Sequence, residues 1–452
     1  MNAEKIANSG TLLQAGIREL VFILVILGSV NNSFAQDQAP MDPGDWAKKN
    51  LPPLVDLYRE LHANPELSYQ EKQTAAKLAE LWKSEGFEIT TGVGGHGVVA
   101  ILKNGDGPTI MLRTDLDALP VTELTNLVYG SKIKVKNAEG AEVGVMHACG
   151  HDVHMCVVTG SARYLAQNRG GWKGTLMLIA QPAEETGGGA KAMLDDGLFK
   201  RFPKPDFALA AHVDAGLAAG MVGYRAGYTL ANVDSVDVTL FGKGGHGAEP
   251  QSTIDPVVMA AEFILSLQTI VSRERKPTDP AVVTVGSIHA GTKHNIISDS
   301  CDLQLTVRSY RDETREAILA AIKRKAEAVT KGAGSDKMPE IRITEGTPAL
   351  YNDDQLTQRL APVFRKAIGE ANLVPTEPVM GGEDFSRYGR EGVPIHMFRL
   401  GSVEKRRLDR WKELGQTPPS LHSPLYFPDF DLTLITGVDI MASSALDLFK
   451  KP

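Results

Sequence analysis

The segment His147-Ala-Cys-Gly-His-Asp-Val-His154 constrains the fold most, because it places three histidines, a cysteine and a carboxylate within eight residues. Cys149 and His151 are two positions apart, so in an extended chain their side chains leave the same side of the backbone and can hold one ion. Asp152 stands where a helix N-cap belongs, since apolar residues at helical spacing follow it. The segment therefore predicts a metal site at a strand-to-helix junction.

Composition limits the range of functions. A length of 452 residues exceeds one typical domain and suggests roughly two to four. Contents of 42% hydrophobic and 23% charged residues are ordinary for a soluble globular protein. The net charge of -7 leaves no basic surface suited to nucleic acid, so we expect no such partner.

The N-terminus has features of a secretory signal peptide. Residues 20–27 form an unbroken apolar run after Arg18, and Ser33-x-Ala35 fits a signal-peptidase site. The run is too short to span a bilayer. An uncleaved anchor or a disordered tail is the alternative. We predict a signal peptide over 1–35, a linker over 36–42, and a periplasmic or secreted protein without a stable membrane anchor after cleavage.

The cysteines are too few for a disulfide scaffold, since Cys149, Cys156 and Cys301 are the only three. A large apolar core must therefore hold the fold. Cys156 lies in an apolar helical pattern and Cys301 in a strand-like run, so both are expected to be buried as small hydrophobic residues. Cys149 is the exception, because it is a candidate metal ligand rather than a small hydrophobic residue.

Helix and strand patterns alternate through the first part of the mature chain. We predict helices at 46–62 and 71–86, and strands at 97–102, 109–113, 174–180 and 207–211. This alternation indicates an α/β fold whose central mixed or mostly parallel sheet is covered by helices on both faces. Several strands end in polar clusters, which an open α/β sheet places together at its carboxyl edge.

From about Tyr228 the pattern becomes β-α-β-β-α-β, the split βαβ or ferredoxin-like arrangement. The predicted elements are strands 233–241, 281–288, 302–308 and 340–344 and helices 254–271 and 313–329. We predict an inserted domain over 229–340, between two parts of a metallopeptidase-like catalytic domain at 43–228 and 341–452. The second part contains a helix at 355–370, a glycine-rich loop at 380–385, a strand at 396–400 and a helix from 432.

Separated segments supply further candidate ligands, namely Glu184-Glu185, His212 and His422. Adjacent carboxylates face opposite sides of an extended chain, so one can bind metal while the other acts on a water molecule. A Glu-Glu pair is commonly a solvated surface feature, but this pair ends an apolar strand and precedes three glycines.

Asp115 and Asp117 follow another apolar strand. A carboxylate at such a buried position needs a partner, for example a ligand imidazole or a metal ion. A structural pair with Arg113 is the alternative for Asp115.

Eight motifs in order resemble the di-metal amidohydrolases, which include hippurate hydrolases, N-acyl amino acid deacylases, carboxypeptidases and auxin-amino acid conjugate hydrolases. The resemblance covers nearly the whole mature chain. It departs at Ser298, where relatives often turn through proline, and in the exported N-terminus. The motifs are Leu61-His-Ala-Asn-Pro-Glu-Leu-Ser68, Leu112-Arg-Thr-Asp-Leu-Asp-Ala-Leu-Pro120, Met146-His-Ala-Cys-Gly-His-Asp152, Gln181-Pro-Ala-Glu-Glu185, Gly242-Lys-Gly-Gly-His-Gly247, His294-Asn-Ile-Ile297, Gly381-Gly-Glu-Asp-Phe385 and Leu421-His-Ser423.

The resemblance implies two divalent metal ions per subunit. Cys149 would bind both ions, with His151 and His212 on one. Glu185 and His422 would complete the other. Zinc suits cysteine and histidine best, and manganese, cobalt or nickel also fit.

The resemblance also implies catalytic and substrate-binding roles. Glu184 would be the general base, and Asp117 would orient a ligand. His246 and Asn295 of the inserted domain would face the substrate, with His246 as a donor to the oxyanion. The carboxylate of the amino acid product would meet backbone amides near Gly381-Gly382 or a polar group of the inserted domain. The inserted domain would also pair two subunits as a homodimer.

The expected activity is hydrolysis of the amide bond of N-acyl amino acids to a carboxylic acid and a free amino acid. A metallocarboxypeptidase or dipeptidase acting on short peptides is the alternative within enzymes. A periplasmic metal-dependent binding protein without turnover is the alternative outside them. Glu184 argues against the binding protein, because binding alone needs no base beside the ligands.

Overall fold

The computed structural model describes residues 41–136 and 140–450. The predicted signal peptide at 1–35 and most of the predicted linker therefore lie outside the described residues. The helices, in chain order, are α1 Pro43–Lys49, α2 Leu51–Ala63, α3 Lys72–Ser84, α4 His151–Gln167, α5 Gly189–Asp195, α6 Leu198–Arg201, α7 Pro256–Arg273, α8 Asp312–Gly332, α9 Asp354–Ile368, α10 Ser386–Arg390, α11 Lys405–Glu413 and α12 Phe430–Leu448.

The strands, in the same order, are β1 Glu88–Val93, β2 Gly97–Asn104, β3 Thr109–Asp115, β4 Lys134–Lys136, β5 Glu142–Gly144, β6 Gly174–Gln181, β7 Phe207–Ala218, β8 Val222–Tyr224, β9 Gly227–Leu230, β10 Asn232–Phe241, β11 Gly245–His246, β12 Ala281–Ala290, β13 Ile296–Ile297, β14 Ser300–Ser309, β15 Glu340–Glu345, β16 Leu350–Asn352, β17 Leu373–Pro375 and β18 Ile395–Val403.

A mixed sheet of eight strands, in the order β1-β2-β6-β3-β7-β18-β8-β17, forms the centre of the fold. The neighbours β6, β3, β7 and β18 pair in parallel, whereas β1 and β2 run antiparallel. Alternate residues of each inner strand enter two separate apolar cores: in β2, Val98 and Ala100 pack into one and Val99 and Ile101 into the other. The predicted α/β fold with a central mixed sheet is confirmed.

A second sheet, ordered β12-β14-β10-β15, is entirely antiparallel and carries α7 and α8 on its own core. Its chain order is the predicted β-α-β-β-α-β. Strand β15 continues to Glu345, past the predicted boundary at 340. Among the described helices, α7 has the length and composition to cross a membrane, but residues such as Phe263 and Leu267 pack into this core.

One predicted helix is wrong. The helix expected at 46–62 is divided at Asn50 into α1 and α2, and Pro52 and Pro53 occupy the first turn of α2. Proline has no backbone N–H and its ring clashes with the preceding turn, so it fits the start of a helix but not its interior. The two prolines therefore explain why a second helix begins here.

His62 joins α2 to the first turn of α4. Its Nδ1 donates to Asp152 Oδ2 at 2.7 Å and its Nε2 to Glu123 Oε1 at 3.3 Å, and the side chain is 1% exposed. Burial opposes the positive charge, but the hydrogen bonds to the two carboxylates prevail and raise the pKa of His62 to about 9.

We expect His62→Gln to reduce stability most at neutral and mildly acidic pH. Because the folded pKa lies above the unfolded value of 6.5, protonated His62 contributes its full stability below about pH 6.5 and loses it as the pH rises through about 9. Urea unfolding should show a difference from wild type of about 2–3 kcal/mol near pH 6 that shrinks well above pH 9. The exposed His289→Gln variant is the control; a pH-independent loss in His62→Gln would contradict the assignment.

Candidate metal and catalytic site

The candidate ligands meet at the carboxyl edge of the parallel strands. Segments following β3 and β6 carry Asp117 and Glu184-Glu185. His212 was expected just after a strand, but β7 continues to Ala218, so His212 lies within it. The loop before α12 supplies His422, whose backbone adopts a positive φ of 67° and whose N–H donates to the Ala148 carbonyl at 2.9 Å.

The Cys149-Gly150-His151 segment is a turn rather than the extended chain predicted from its spacing. Helix α4 begins at His151, and Gly150 caps it in the left-handed region with φ of 76°. A Cβ at this position would lie 2.6 Å from Val213 Cγ2, so both the backbone and the space require glycine. The predicted N-cap role of Asp152 is therefore wrong: it lies inside the first turn of α4 and binds His62.

The turn brings the five predicted ligands together in two groups that share Cys149. Cys149 Sγ lies 3.6 Å from His212 Nε2 and 3.3 Å from His422 Nε2. Glu185 completes the set, with Oε2 3.6 Å from His422 Nε2 and Oε1 3.8 Å from His151 Nε2. The groups Cys149, His151, His212 and Cys149, Glu185, His422 each hold their donor atoms within 4.8 Å of one another.

Hydrogen bonds orient two of the imidazoles. Nδ1 of His151 donates to the Asp117 carbonyl at 2.7 Å, and Nδ1 of His212 donates to the Val213 carbonyl at 2.8 Å. The Nε2 atom of each ring therefore carries no proton and faces the cluster, where its lone pair can bind a metal ion. His151 Nε2 and Glu185 Oε1 are buried without a hydrogen-bond partner in the described structure. Buried polar atoms normally have a partner, and a metal ion would fill that role for both atoms.

Asp117 connects the two sides of the cluster. Its Oδ2 accepts hydrogen bonds from Ser68 Oγ at 2.6 Å and from the Glu185 N–H at 3.0 Å, while Oδ1 lies 3.4 Å from His151 Nδ1. Burial would raise the pKa of Asp117, but the hydrogen bond with His151 lowers it. This placement suits the predicted orienting role.

Glu184 and Glu185 lie in a turn that begins at Ala183, whose φ is 51°, and not in the extended strand end assumed from sequence. Glu184 is buried, and burial raises its pKa well above the usual range, assisted by the charges of Glu383 and Asp384. A carboxyl group with a raised pKa binds a proton more readily near neutral pH.

The sequence did not reveal the network behind Glu184. The Arg113 guanidinium is buried and lies 2.7 Å from Asp115 Oδ2, 3.0 Å from Glu383 Oε1 and 3.0 Å from Asp384 Oδ1. The alternative considered for Asp115, a structural pair with Arg113, is thus what the structure contains, although Asp115 also accepts from His154 Nδ1 at 2.8 Å. The acidic half of Gly381-Gly-Glu-Asp-Phe385 was the available signal, but only its glycines were assigned a role.

A cavity of about 410 Å³ opens over the cluster. Gly381 and Gly382 line it, as predicted for substrate contacts. Two arginines that the sequence did not single out, Arg308 from the inserted domain and Arg399 from β18, line it as well.

His246 and Asn295 are absent from the residues that line this cavity. They lie together on the inserted domain, where Gly247 N–H donates to the Asn295 carbonyl at 2.9 Å and His246 Nδ1 accepts from the Ala248 N–H at 3.0 Å. Both side chains are exposed. Within this subunit the structure does not bring them to the metal ligands.

The model of peptidase family M20/M25/M40 matches residues 111–410. The chain belongs to this family. It is 36% identical over 400 residues to the IAA-amino acid hydrolase ILR1-like 2 of Arabidopsis thaliana (88% of this chain, 85% of the relative). It is 34% identical over 359 residues to thermostable carboxypeptidase 2 of Saccharolobus solfataricus (78% and 87%).

A solved structure with the same fold is that of the YxeP protein of Bacillus subtilis, described as a dinuclear metal binding peptidase from the M20 family. The TM-score is 0.70 at 30% identity, over 87% of this chain and 97% of that one. The family resemblance, the fold class and the assignment as a hydrolase are therefore confirmed.

We expect Arg113→Met to destabilise the fold by about 3–5 kcal/mol, because it leaves buried carboxylates without their cation. The matched control is Arg390→Met, whose ion pair with Asp312 is about half exposed (47% and 54%) and should contribute no more than about 1 kcal/mol. Urea unfolding of both variants measures the two losses. Equal losses in the free energy of unfolding would show that the buried network stabilises the fold no more than the exposed ion pair does.

Proposed function

We propose that this chain is a di-metal amidohydrolase that cleaves N-acyl amino acids into a carboxylic acid and a free amino acid. The observation that carries the proposal is the pair of three-ligand groups sharing Cys149, beside the buried carboxyl group of Glu184, whose Oε2 lies 3.9 Å from His151 Nε2. The names of the relatives, which include an IAA-amino acid hydrolase, support an acyl-amino acid substrate.

Cys149 needs a cation beside it. Burial, followed by the negative charge of Glu185, raises the pKa of the Cys149 thiol well above its usual range. Its thiolate is therefore stable here only when positive charge lies against the sulfur. We assign His151 and His212 to one ion and Glu185 and His422 to the other; zinc suits these donors best, and manganese, cobalt or nickel also fit.

Divalent ions at this position would supply Lewis acidity that polarises the amide carbonyl and makes water acidic. Glu184 takes a proton from the attacking water and returns it to the nitrogen of the leaving amino acid. The charges of its neighbours Glu383 and Asp384 raise the proton affinity of Glu184, which favours the first of these steps, the uptake of the proton from water. Asp117 keeps the ligand imidazole of His151 in place during these transfers.

The carboxylate of the amino acid fits the end of the cavity formed by Gly381, Gly382 and Arg308. Arg308 is held there by Nη1, which donates to the Met380 carbonyl at 3.0 Å, and by Nε, which donates to Thr306 Oγ1 at 3.1 Å. A fixed guanidinium beside glycine backbone suits a carboxylate. Carboxypeptidase action on short peptides is the second candidate, favoured by the 34% identity to thermostable carboxypeptidase 2 and by the same carboxylate site.

Turnover of matched substrates tests the proposal. Metal-loaded protein is assayed with N-acyl amino acids, with dipeptides of the same C-terminal residue, and with the corresponding amino acid amides. Faster hydrolysis of the N-acyl amino acids, lost on amidation of the carboxylate, is expected. Faster hydrolysis of the dipeptides would favour the carboxypeptidase, and no turnover of any compound would refute the enzyme.

Variants of the adjacent carboxylates separate base from ligand. Glu184→Gln should keep its metal and lose turnover by about 10³-fold or more, because an amide cannot accept the proton of water. Glu185→Gln and Cys149→Ala should lose metal first, with buried Cys156→Ala as the matched control. Metal analysis and kcat decide, and metal loss in Glu184→Gln with full metal in Glu185→Gln would reverse the two roles.

We further propose a periplasmic or secreted homodimer that pairs through the inserted domain. Helix α7 exposes apolar side chains, with Val258 at 56% and Leu265 at 71%, which supports a contact with a second copy. His246 and Asn295 lie on the same domain, outside the cavity of their own subunit. A partner subunit is one route by which His246 reaches an active site as donor to the oxyanion.

Mixing two inactive variants tests action of His246 across subunits. When His246→Ala and Glu184→Gln subunits are co-assembled, random pairing should restore about a quarter of wild-type activity, because each mixed dimer has one complete site. A mixture of Glu184→Gln with Glu185→Gln is the control and should stay inactive. Mixed dimers shown by mass but without activity would refute the trans donor, and a monomer at assay concentration would refute the dimer.

A further inference from the structure

We propose that Arg399 binds an anionic group on the acyl side of the substrate, so that the enzyme prefers N-acyl amino acids whose acyl chain carries a carboxylate. The inference rests on the proposed amidohydrolase function and specifies its substrate class. It concerns a residue that is neither a candidate metal ligand nor the candidate base.

Strand β18 places Arg399 beside the metal ligands. Arg399 pairs with His212 of the parallel strand β7, and paired residues of adjacent strands project on the same face of a sheet. The other eight residues of β18 are buried, and Arg399 is the one that reaches partly into solvent. The positively charged side chain of Arg399 therefore lies next to His212, on a strand whose other residues are buried.

The Arg399 guanidinium makes no hydrogen bond or ion pair with any other residue in the part of the chain that the structure describes. Other arginines around the cavities are engaged: Arg308 with the Met380 carbonyl at 3.0 Å, and Arg225 with the Thr376 carbonyl at 2.8 Å. A partly buried guanidinium without a partner has given up hydration that an anion would replace.

A second cavity, of about 370 Å³, adjoins the metal-site cavity at Arg399. Arg399, Val379 and Leu421 line both, and Leu421 precedes the candidate ligand His422. Arg308, Gly381 and Gly382 line the metal-site cavity and not this second one. With the amino acid carboxylate at Arg308, the acyl chain extends towards the second cavity and passes Arg399.

Two acidic residues of this second cavity are directed elsewhere. Asp214 Oδ1 accepts the Gly216 N–H at 2.8 Å. The Glu377 side chain is 93% exposed and lies 3.5 Å from Arg225 Nη1. Neither forms an ion pair with Arg399, so the guanidinium remains available. Its planar fork of donors suits a carboxylate better than a single polar atom, which makes the half-amide of a dicarboxylic acid the fitting acyl group.

Matched acyl groups provide the test. Metal-loaded enzyme is assayed with N-succinyl-alanine and N-butanoyl-alanine, which share the amino acid and chain length and differ in the terminal carboxylate. Wild type should favour the succinyl compound in kcat/KM. Arg399→Leu should lower kcat/KM for it by about tenfold to a hundredfold, mainly through KM, and leave the butanoyl compound within about twofold. Arg399→Lys should restore part of the loss.

Controls separate this inference from the function on which it rests. Arg406→Leu, whose side chain is 86% exposed on α11, should match wild type on both substrates. Metal content and melting temperature of each variant are measured, and a general defect would lower both rates equally, leaving their ratio unchanged. An equal effect of Arg399→Leu on both substrates, or none, overturns the role of Arg399. Failure of wild type to hydrolyse either compound overturns the amidohydrolase proposal instead.

Discussion

The buried guanidinium of Arg113 is the contact on which the catalytic site depends. It joins β3 to Glu383 and Asp384, which follow it by about 270 positions in the chain. Three carboxylates close to one cation, at distances of 2.7 to 3.0 Å, would repel one another without it. The same cation ties the two parts of the catalytic domain together across the inserted domain. The folding of the second part and the electrostatics of Glu184 are therefore coupled, because two of the acids paired with Arg113, Glu383 and Asp384, also raise the pKa of Glu184.

The inserted domain leaves and rejoins the catalytic domain through a short two-stranded connection. Strands β9 and β16 pair directly before and after it. The Val233 N–H donates to the Thr347 carbonyl and the Gly346 N–H donates to the Val233 carbonyl, both at 2.9 Å. Arg308 reaches from this domain to the Met380 carbonyl beside Gly381. A rotation at the connection would therefore change the position of Arg308 relative to the metal ligands, and with it the length of substrate that the cavity accepts. This link explains how a domain without a candidate metal ligand shapes the site.

The sequence predicted much of this arrangement, because periodicity and motif spacing record local constraints. Periodicity predicted strand β10 and helix α7, and motif spacing predicted the five candidate ligands. The turn at Gly150 was not predicted, since the same Cys-x-His spacing suits an extended strand, and only the folded chain, in which Gly150 has a φ of 76°, shows that the backbone turns. Asp152 was predicted to be an N-cap because the sequence nearby does not reveal its actual partner. That partner, His62, lies 90 positions earlier in the chain. Arg399 had no motif at all. A single arginine in an apolar strand becomes informative only when its neighbours in space are known.

Opposite charges divide the site by depth. Carboxylates lie at the base, where Glu184 and Asp384 are buried and burial raises the pKa of Asp384 to about 7. Arginines 308 and 399 lie where the cavity meets solvent, and neither has a carboxylate partner within ion-pair distance in the described residues. Arg113 lies against Asp384 at the base, and a metal ion would neutralise the ligand Glu185, whereas the two arginines near solvent would remain free to attract anions despite a net chain charge of -7. A neutral ligand would leave both arginines unpaired, and a monoanion would satisfy one. The charge pattern is complementary to a substrate with an anionic group at each end and a neutral amide between them.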